Sequence, residues 1–147
     1  MKTLVVYDSL HGNTEEIARA IGDAMTGEVK VLRAGEASPP ISETFDLLIV
    51  GSPTYGGRPT QAIQDFTKRV PALNGAPVAA FDTRLSTRLA KIFGYAADRI
   101  GKTLEKKGGI LVKPPEAFFV KGTKGPLREG ELERAASWAG KIAKSIQ

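Results

Sequence analysis

The sequence predicts an α/β protein with a doubly wound, five-stranded parallel sheet covered by helices on both faces. Short β-branched and aromatic runs alternate with amphipathic helical patterns, and this alternation is typical of βαβ units. The strand-like runs are continuously apolar, as expected for strands buried on both faces. The 147 residues suit one domain, and no linker or repeat divides them, so residues 1–147 are predicted to form a single domain.

Five strands are predicted from the apolar runs. The first, Thr3 to Tyr7, is an uninterrupted β-branched and aromatic segment near the start of the chain. The fifth is interrupted by Pro114 and Pro115, because proline cannot donate a hydrogen bond to a sheet ladder. The strands are predicted over residues 3–7, 29–32, 46–50 and 77–81, and in two pieces over 110–112 and 117–120.

Four helices are predicted where apolar residues recur at helical spacing. Asn13 and Glu16 resemble a capping box at the start of the first helix. The last helix is expected to bury a stripe that begins at Leu132 and ends at Ile146. The helices are predicted over residues 13–25, 60–70, 95–107 and 130–146.

The composition excludes several classes of protein. The chain has no Cys, so disulfide scaffolds, thiolate metal sites and cysteine nucleophiles are ruled out. Its one histidine, His11, cannot form a multi-histidine zinc site. No apolar run approaches the roughly 20 residues that cross a bilayer. The run from Leu4 to Tyr7 is too short for a signal peptide. A cytoplasmic protein with no membrane span is predicted.

The charge is distributed unevenly along the chain. The net charge is +5, but residues 1–75 contain 7 Lys and Arg against 9 Asp and Glu, whereas residues 76–147 contain 14 against 7. A basic half suits acidic partners, anionic ligands or nucleic acid, and a solvated basic surface explains it equally well. No nucleic-acid-binding module is recognisable, so no nucleic-acid partner is predicted.

The loop after the first strand can bind an anion. Segment 8–14 (DSLHGNT) contains hydroxyl and amide side chains and a glycine directly before a helix. The free N–H groups of a helix start can hold a phosphate without Lys or Arg. The segment lacks the Gly-Lys-Ser/Thr of a Walker A loop. The alternative is an ordinary capped turn, since these residue types are also common caps.

The loop after the third strand, segment 51–59 (GSPTYGGRP), can hold a flat ring. A planar ligand could stack on Tyr55 while backbone groups bond its polar edge. The peptide between Gly56 and Gly57 can turn over at little cost, because glycine accepts either sign of φ. The alternative is an ordinary Gly/Pro loop with an exposed tyrosine.

Together, segments 7–14 (YDSLHGNT) and 51–57 (GSPTYGG) resemble the phosphate loop and the second flavin loop of the flavodoxin family. The resemblance covers essentially the whole chain. It implies a parallel sheet of order 2-1-3-4-5 that binds FMN non-covalently, with the phosphate at the first loop and the isoalloxazine ring at the second. The residues that it places at the cofactor are Ser9, Leu10, His11, Gly12, Asn13, Thr14, Pro53, Thr54, Tyr55, Gly56, Gly57, Asp82, Thr83 and Arg84.

The chain departs from the family pattern beyond the fourth strand. Flavodoxins are typically acidic and many place an aromatic residue on each ring face, whereas segment 82–88 (DTRLSTR) has no aromatic residue. Leu85 or Leu89 is the expected substitute. Residues 83–94 are predicted to form either a basic lid or an amphipathic turn packed on the core. The cations expected at the rim of the ring are Arg58, Arg84, Arg88 and Lys91.

These observations predict an FMN-binding electron carrier that shuttles electrons between redox partner proteins with acidic surfaces. The compact chain is expected to be a monomer. No side chain is assigned an acid–base role, because the cofactor carries the redox chemistry. Two alternatives remain open: an NAD(P)H-dependent flavin or quinone oxidoreductase of the same fold, and a flavodoxin-like domain that has lost FMN. A receiver domain is excluded, since the third strand ends in Gly51 and Ser52 rather than in Asp.

Overall fold

The computed structural model describes residues 1–37, 45–86 and 94–146. Strands and helices alternate along these residues, as the sequence predicts. In chain order they are β1 (Lys2–Tyr7), α1 (Asn13–Ala24), β2 (Glu28–Arg33), β3 (Leu47–Pro53), α2 (Gln61–Arg69), β4 (Pro77–Leu85), α3 (Ala96–Lys106), β5 (Ile110–Leu111), β6 (Glu116–Val120) and α4 (Glu131–Ser145).

The strands form one parallel sheet in the order β2-β1-β3-β4, and β5 and β6 both pair with the far edge of β4. Pro77 pairs with Ile110 of β5, and Phe81 pairs with Glu116 of β6. The predicted doubly wound fold and its order 2-1-3-4-5 are confirmed, with the fifth position shared by two strands. The strand order reverses between β1 and β3, and open α/β sheets bind their ligands beyond the carboxyl ends of the strands at such a point.

Both faces of the sheet are covered by helices. On the face of α1 and α4, the rings of Phe81, Phe118 and Trp138 meet edge to face with centroids 6.0–6.2 Å apart. On the face of α2 and α3, Phe66 and Leu104 are fully enclosed. A parallel sheet needs this cover because both of its faces are apolar.

Two predicted strand ends are wrong. β4 was predicted to stop at Phe81 and continues to Leu85, because β6 pairs with it along the whole extension. β3 extends from the predicted Val50 to Pro53, where it pairs with Thr83 of β4. Residues 82–84 therefore belong to a strand rather than to a loop. The predicted lid or amphipathic turn over residues 83–94 lies mostly outside the described residues.

Two details of the helices also differ from the prediction. α1 has no side-chain cap, since its N-cap is Gly12 at φ 93° and not Asn13. The Gly12 N–H instead donates to the Ser9 hydroxyl at 3.0 Å, so the turn is closed from the loop side. In α4, Leu132 is 42% exposed and Trp138 is buried, because the first turn of that helix points Glu131 inward.

Glu131 joins the start of α4 to β6. Its carboxylate accepts the N–H of Phe119 at 2.7 Å and two N–H bonds from Arg134 at 2.7 and 2.9 Å. Arg134 also donates to Glu116 at 3.1 Å and to the carbonyl of Ala117. The hydrogen bonds from Arg134 hold the pKa of Glu131 below its ordinary value, against the effect of burial.

Glu131→Gln should therefore destabilise the fold by about 1.5–3 kcal/mol at neutral pH, the range for hydrogen bonds to charged groups. Because the folded-state pKa is lowered, this stabilisation is present above the unfolded-state pKa and is lost as the pH falls through the folded-state pKa. Urea unfolding across an acidic pH series measures it. The exposed neighbour Glu133 supplies the control Glu133→Gln. A destabilisation that did not shrink in acid would contradict the assignment.

Candidate functional site

A cavity of about 260 Å³ opens at the carboxyl ends of β1, β3 and β4. The pairing of β1 with β3 and of β3 with β4 brings the three strand ends together beside the start of α1, so segments distant in sequence meet around one space. The lining consists of Ser9, Leu10, His11, Asn13, Thr14, Pro53, Thr54, Tyr55, Gly56, Gly57, Thr83, Arg84, Leu85, Val120 and Thr123. The cavity thus brings together every predicted site residue except Gly12 and Asp82.

The first wall is the loop between β1 and α1. Its turn is closed by the Ser9 hydroxyl, which accepts the N–H of Gly12, and by Asp8, whose carboxylate accepts the N–H of Ser9 at 2.9 Å. Arg33 at the end of β2 donates to the Ser9 carbonyl at 2.8 Å. A Cβ at Gly12 would meet nothing within 4 Å, so its positive φ rather than space requires glycine there.

The start of α1 supplies donors to the cavity. The first N–H groups of a helix have no intrahelical acceptor, and here no side chain caps them. Asn13 and Thr14 lie in this turn and are almost fully buried, yet both line the cavity. The Thr14 and Thr83 hydroxyls lie 2.8 Å apart, which ties the turn to β4. This arrangement suits a phosphate, because it offers N–H and hydroxyl donors at the positive end of a helix dipole.

The opposite wall is the turn from Tyr55 to Arg58. The backbone N–H and carbonyl groups of these two residues exchange hydrogen bonds of 2.9 Å, and Gly56 and Gly57 between them have φ of 54° and 77°. Two positive φ angles define a tight turn that glycine forms without strain. Tyr55 is 37% exposed at the cavity mouth, and Leu10 is 59% exposed on the other side. Apolar side chains left open to solvent here suit a flat aromatic ligand.

A buried carboxylate lies behind the cavity wall. Asp82 is fully buried and accepts two hydrogen bonds of 2.8 Å from Arg84, and the N–H of Ala97 at 2.9 Å. Beside it, the Thr54 hydroxyl accepts the N–H of Ala96 at 3.0 Å. Burial raises the pKa of Asp82 above its ordinary value, and the hydrogen bonds from Arg84 and Ala97 offset only part of this shift. Asp82 therefore holds cavity residues in place rather than lining the cavity itself.

Arg84 is a paired and mostly buried cation. Its side chain is 13% exposed, and its guanidinium carbon lies 3.4 Å from the centroid of the Tyr95 ring. The sequence predicted Arg84 as a cation at the rim of the ring. In the structure, Arg84 forms an ion pair with Asp82. Arg58 lies just outside the lining of the cavity, and Arg88, Leu89 and Lys91 lie outside the described residues.

The loop after β6 also reaches the cavity, although no sequence pattern predicted it there. Val120 and Thr123 line the cavity, and Lys124 lies in a neighbouring groove together with His11 and Asn13. A Cβ at Gly125 would lie 2.5 Å from the amide oxygen of Asn13, so this loop packs directly on the first one. Its place in the chain could have predicted this contact, because a Gly-rich loop that follows a parallel strand lies at the same edge of the sheet as the other loops of the cavity.

The described helices include none that is long and apolar enough to span a membrane. The fold is that of a doubly wound α/β protein, and the cavity at the carboxyl edge of its sheet has the donors and the exposed apolar side chains that suit a flat, anionic ligand. The flavodoxin domain model matches residues 4–132, and the chain belongs to the flavodoxin family, whose members bind FMN.

Individual proteins with a similar sequence or fold include two flavodoxins. A flavodoxin of Maridesulfovibrio salexigens is 24% identical over 99% of both chains. An uncharacterised protein of Methanocaldococcus jannaschii is 35% identical, over 50% of this chain and 49% of that protein, so the match spans about half the length of that relative. The crystal structure of oxidised flavodoxin 1 from Bacillus cereus superposes with a TM-score of 0.82 at 22% identity, covering 98% of each chain.

Proposed function

We propose that this protein binds FMN in the cavity and serves as an electron carrier between redox proteins. The observation that carries the proposal is the uncapped start of α1, which opens onto a cavity whose other wall is the Tyr55 turn. One end of the cavity thus suits a phosphate and the other a flat ring. Family membership supports the same ligand.

The residues of the chain have separate tasks in this function. The phosphate would be held by backbone N–H groups of the first loop and by the side chains of Ser9, Asn13 and Thr14. The ring would lie against Tyr55 and the turn of Gly56 and Gly57. When bound, FMN supplies the one-electron redox chemistry, and the protein sets the position and electrostatic surroundings of the ring.

On the face of the ring away from Tyr55, where many flavodoxins have a second aromatic residue, this chain would offer aliphatic side chains. Leu85 lines the cavity, as expected of a substitute, and Leu10 and Val120 line it as well. Aliphatic contact leaves the ring without a second stacking partner but excludes water from it, because apolar surface on both sides is removed from solvent.

Purified protein should be yellow, with the two visible absorption bands of an oxidised flavin. Removal of the flavin and titration with FMN and riboflavin should show FMN to bind at least about tenfold more tightly, since hydrogen bonds to a charged group contribute about 1.5–3 kcal/mol. Equal affinity for both ligands would place the phosphate outside the first loop. Extraction of FAD instead of FMN would contradict the proposed cofactor.

If the protein were instead an oxidoreductase of the same fold, an activity assay would give a different result. An NAD(P)H-dependent quinone oxidoreductase would oxidise NADPH steadily when a quinone is supplied, whereas a carrier reduced by a partner protein would not. The FMN-loaded protein should therefore show no NADPH oxidation above that of free FMN. Turnover well above that level would replace the carrier proposal by the enzyme.

A further inference from the structure

A groove between α2 and α3 is lined by five cationic side chains and, among its described residues, by no acidic one. It has a volume of about 400 Å³ and lies beside the cofactor cavity. The cations are Arg58, Lys68, Arg99, Lys102 and Lys106, and all are exposed. Four of them form no salt bridge with any residue that the structure describes: Arg58, Lys68, Lys102 and Lys106.

Helix stability explains only part of this charge. Basic residues in the last turn of a helix interact favourably with its dipole, which accounts for Lys68 in α2 and Lys106 in α3. It does not account for Arg58, which precedes α2, or for Lys102 in the middle of α3. The charge exceeds what the helices need, and like charges placed together favour an anionic ligand.

The groove is fixed to the cofactor cavity at one end. Arg58 lines the groove, and its backbone closes the turn with Tyr55, which lines the cavity. The start of α3 is held by the bond from the Ala96 N–H to the Thr54 hydroxyl at 3.0 Å. A molecule seated in the groove therefore lies next to the mouth through which the ring would exchange electrons.

The arrangement of the cations suits an extended anion. Arg99, Lys102 and Lys106 follow one another along one side of α3, and at 1.5 Å per residue the outer two are roughly 10 Å apart along the axis. An extended peptide spans that distance in three or four residues, at about 3.3 Å each. The described lining contains no aromatic side chain on which a base could stack, so a nucleic acid is a poorer fit.

We propose that this groove is the docking site for a carboxylate-rich surface segment of the redox partner protein. The proposal rests on the proposed function as an electron carrier, and it locates the partner surface on α2 and α3 rather than on Arg84. Exposed charges of this kind raise the rate of encounter and fix the orientation of two proteins, and salt weakens both effects.

The test is binding of a fluorescein-labelled oligoglutamate peptide to the FMN-loaded protein, followed by fluorescence anisotropy. The groove variant is Lys102→Glu/Lys106→Glu. The control is Lys141→Glu/Lys144→Glu, which makes the same change of net charge on the exposed face of α4. The groove variant should bind the peptide about tenfold more weakly or worse, and the control within about threefold of the unaltered protein, since scattered surface charges contribute little.

A redox measurement uses the same variants. A reduced, acidic [2Fe–2S] ferredoxin gives one electron to the oxidised FMN-loaded protein, and stopped-flow absorbance records the rate. The rate should fall in the groove variant, fall far less in the control, and lose this difference at high ionic strength. Equal losses in both variants, or no peptide binding at low ionic strength, would overturn the docking site. Absence of flavin in the visible spectrum would instead contradict the proposed cofactor, whatever the peptide result.

Discussion

Asn13→Asp should weaken FMN binding by more than about a hundredfold while leaving riboflavin binding nearly unchanged. The two side chains have the same shape, so the substitution adds one negative charge in the first turn of α1, where Asn13 lines the cavity. Two unit charges about 4 Å apart interact by about 4 kcal/mol at the effective dielectric near a protein surface. The FMN phosphate would be repelled by this amount or more, whereas riboflavin has no phosphate.

The same substitution should not destabilise the flavin-free protein. A carboxylate in the first turn of a helix interacts favourably with its dipole, so the apoprotein of Asn13→Asp should be equally stable or more stable in urea. Asn74→Asp is the matched control, because it makes the same change in an exposed turn before β4, at the other edge of the sheet. It should leave FMN binding unaltered. Equal losses for FMN and riboflavin in Asn13→Asp would mean that the phosphate lies elsewhere.

The first loop was predictable because its structure is local. A strand, a seven-residue polar segment and a helix start follow one another in the chain, and the turn is closed within the segment by Ser9 and Gly12. The turn from Tyr55 to Arg58 was similarly predictable, since two adjacent glycines specify positive φ at its centre. In both loops the sequence neighbours are also the structural neighbours.

The position of Asp82 was not predictable from local pattern. A polar segment after the apolar run ending at Phe81 indicates a loop, and only pairing with β6 continues β4 as a strand. The Asp82 charge can be buried because Arg84 and the start of α3 donate to it. These partners depend on tertiary contact. The basic groove is hidden for the same reason, because it exists only when α2 and α3 lie side by side.

Asp82→Asn should make the second one-electron reduction potential of the bound flavin less negative. In the native protein the Asp82 carboxylate is paired with Arg84 and cancels most of its charge at the cavity. Asparagine keeps the shape and one acceptor but leaves the guanidinium charge uncompensated beside the cavity that Arg84 lines. A nearby cation stabilises added negative charge by about 1–2 kcal/mol, which corresponds to roughly 40–90 mV for one electron.

The reverse variant should be damaging to the fold. Arg84→Gln leaves Asp82 fully buried without its charged partner, and breaking a buried pair in this way costs about 3–5 kcal/mol. The double variant Asp82→Asn/Arg84→Gln should recover much of this loss, because neither charge is then left alone. Urea unfolding of the flavin-free proteins measures both effects independently of the cofactor.

Redox titration of Asp82→Asn, followed by flavin absorbance, decides whether the pair controls the potential. Asp98→Asn is the control, since Asp98 is an exposed carboxylate in the first turn of the same helix whose start donates to Asp82. The reduction potential of the flavin bound to Asp98→Asn should stay within about 15 mV of the native value, because an exposed charge is screened by solvent and salt. An unchanged potential in Asp82→Asn, with FMN still bound, would show that the carboxylate is already neutral or that Arg84 does not act on the ring. An equal shift in both variants would show that net charge alone sets the potential, and the buried pair would then act only by holding the start of α3 beside the cavity.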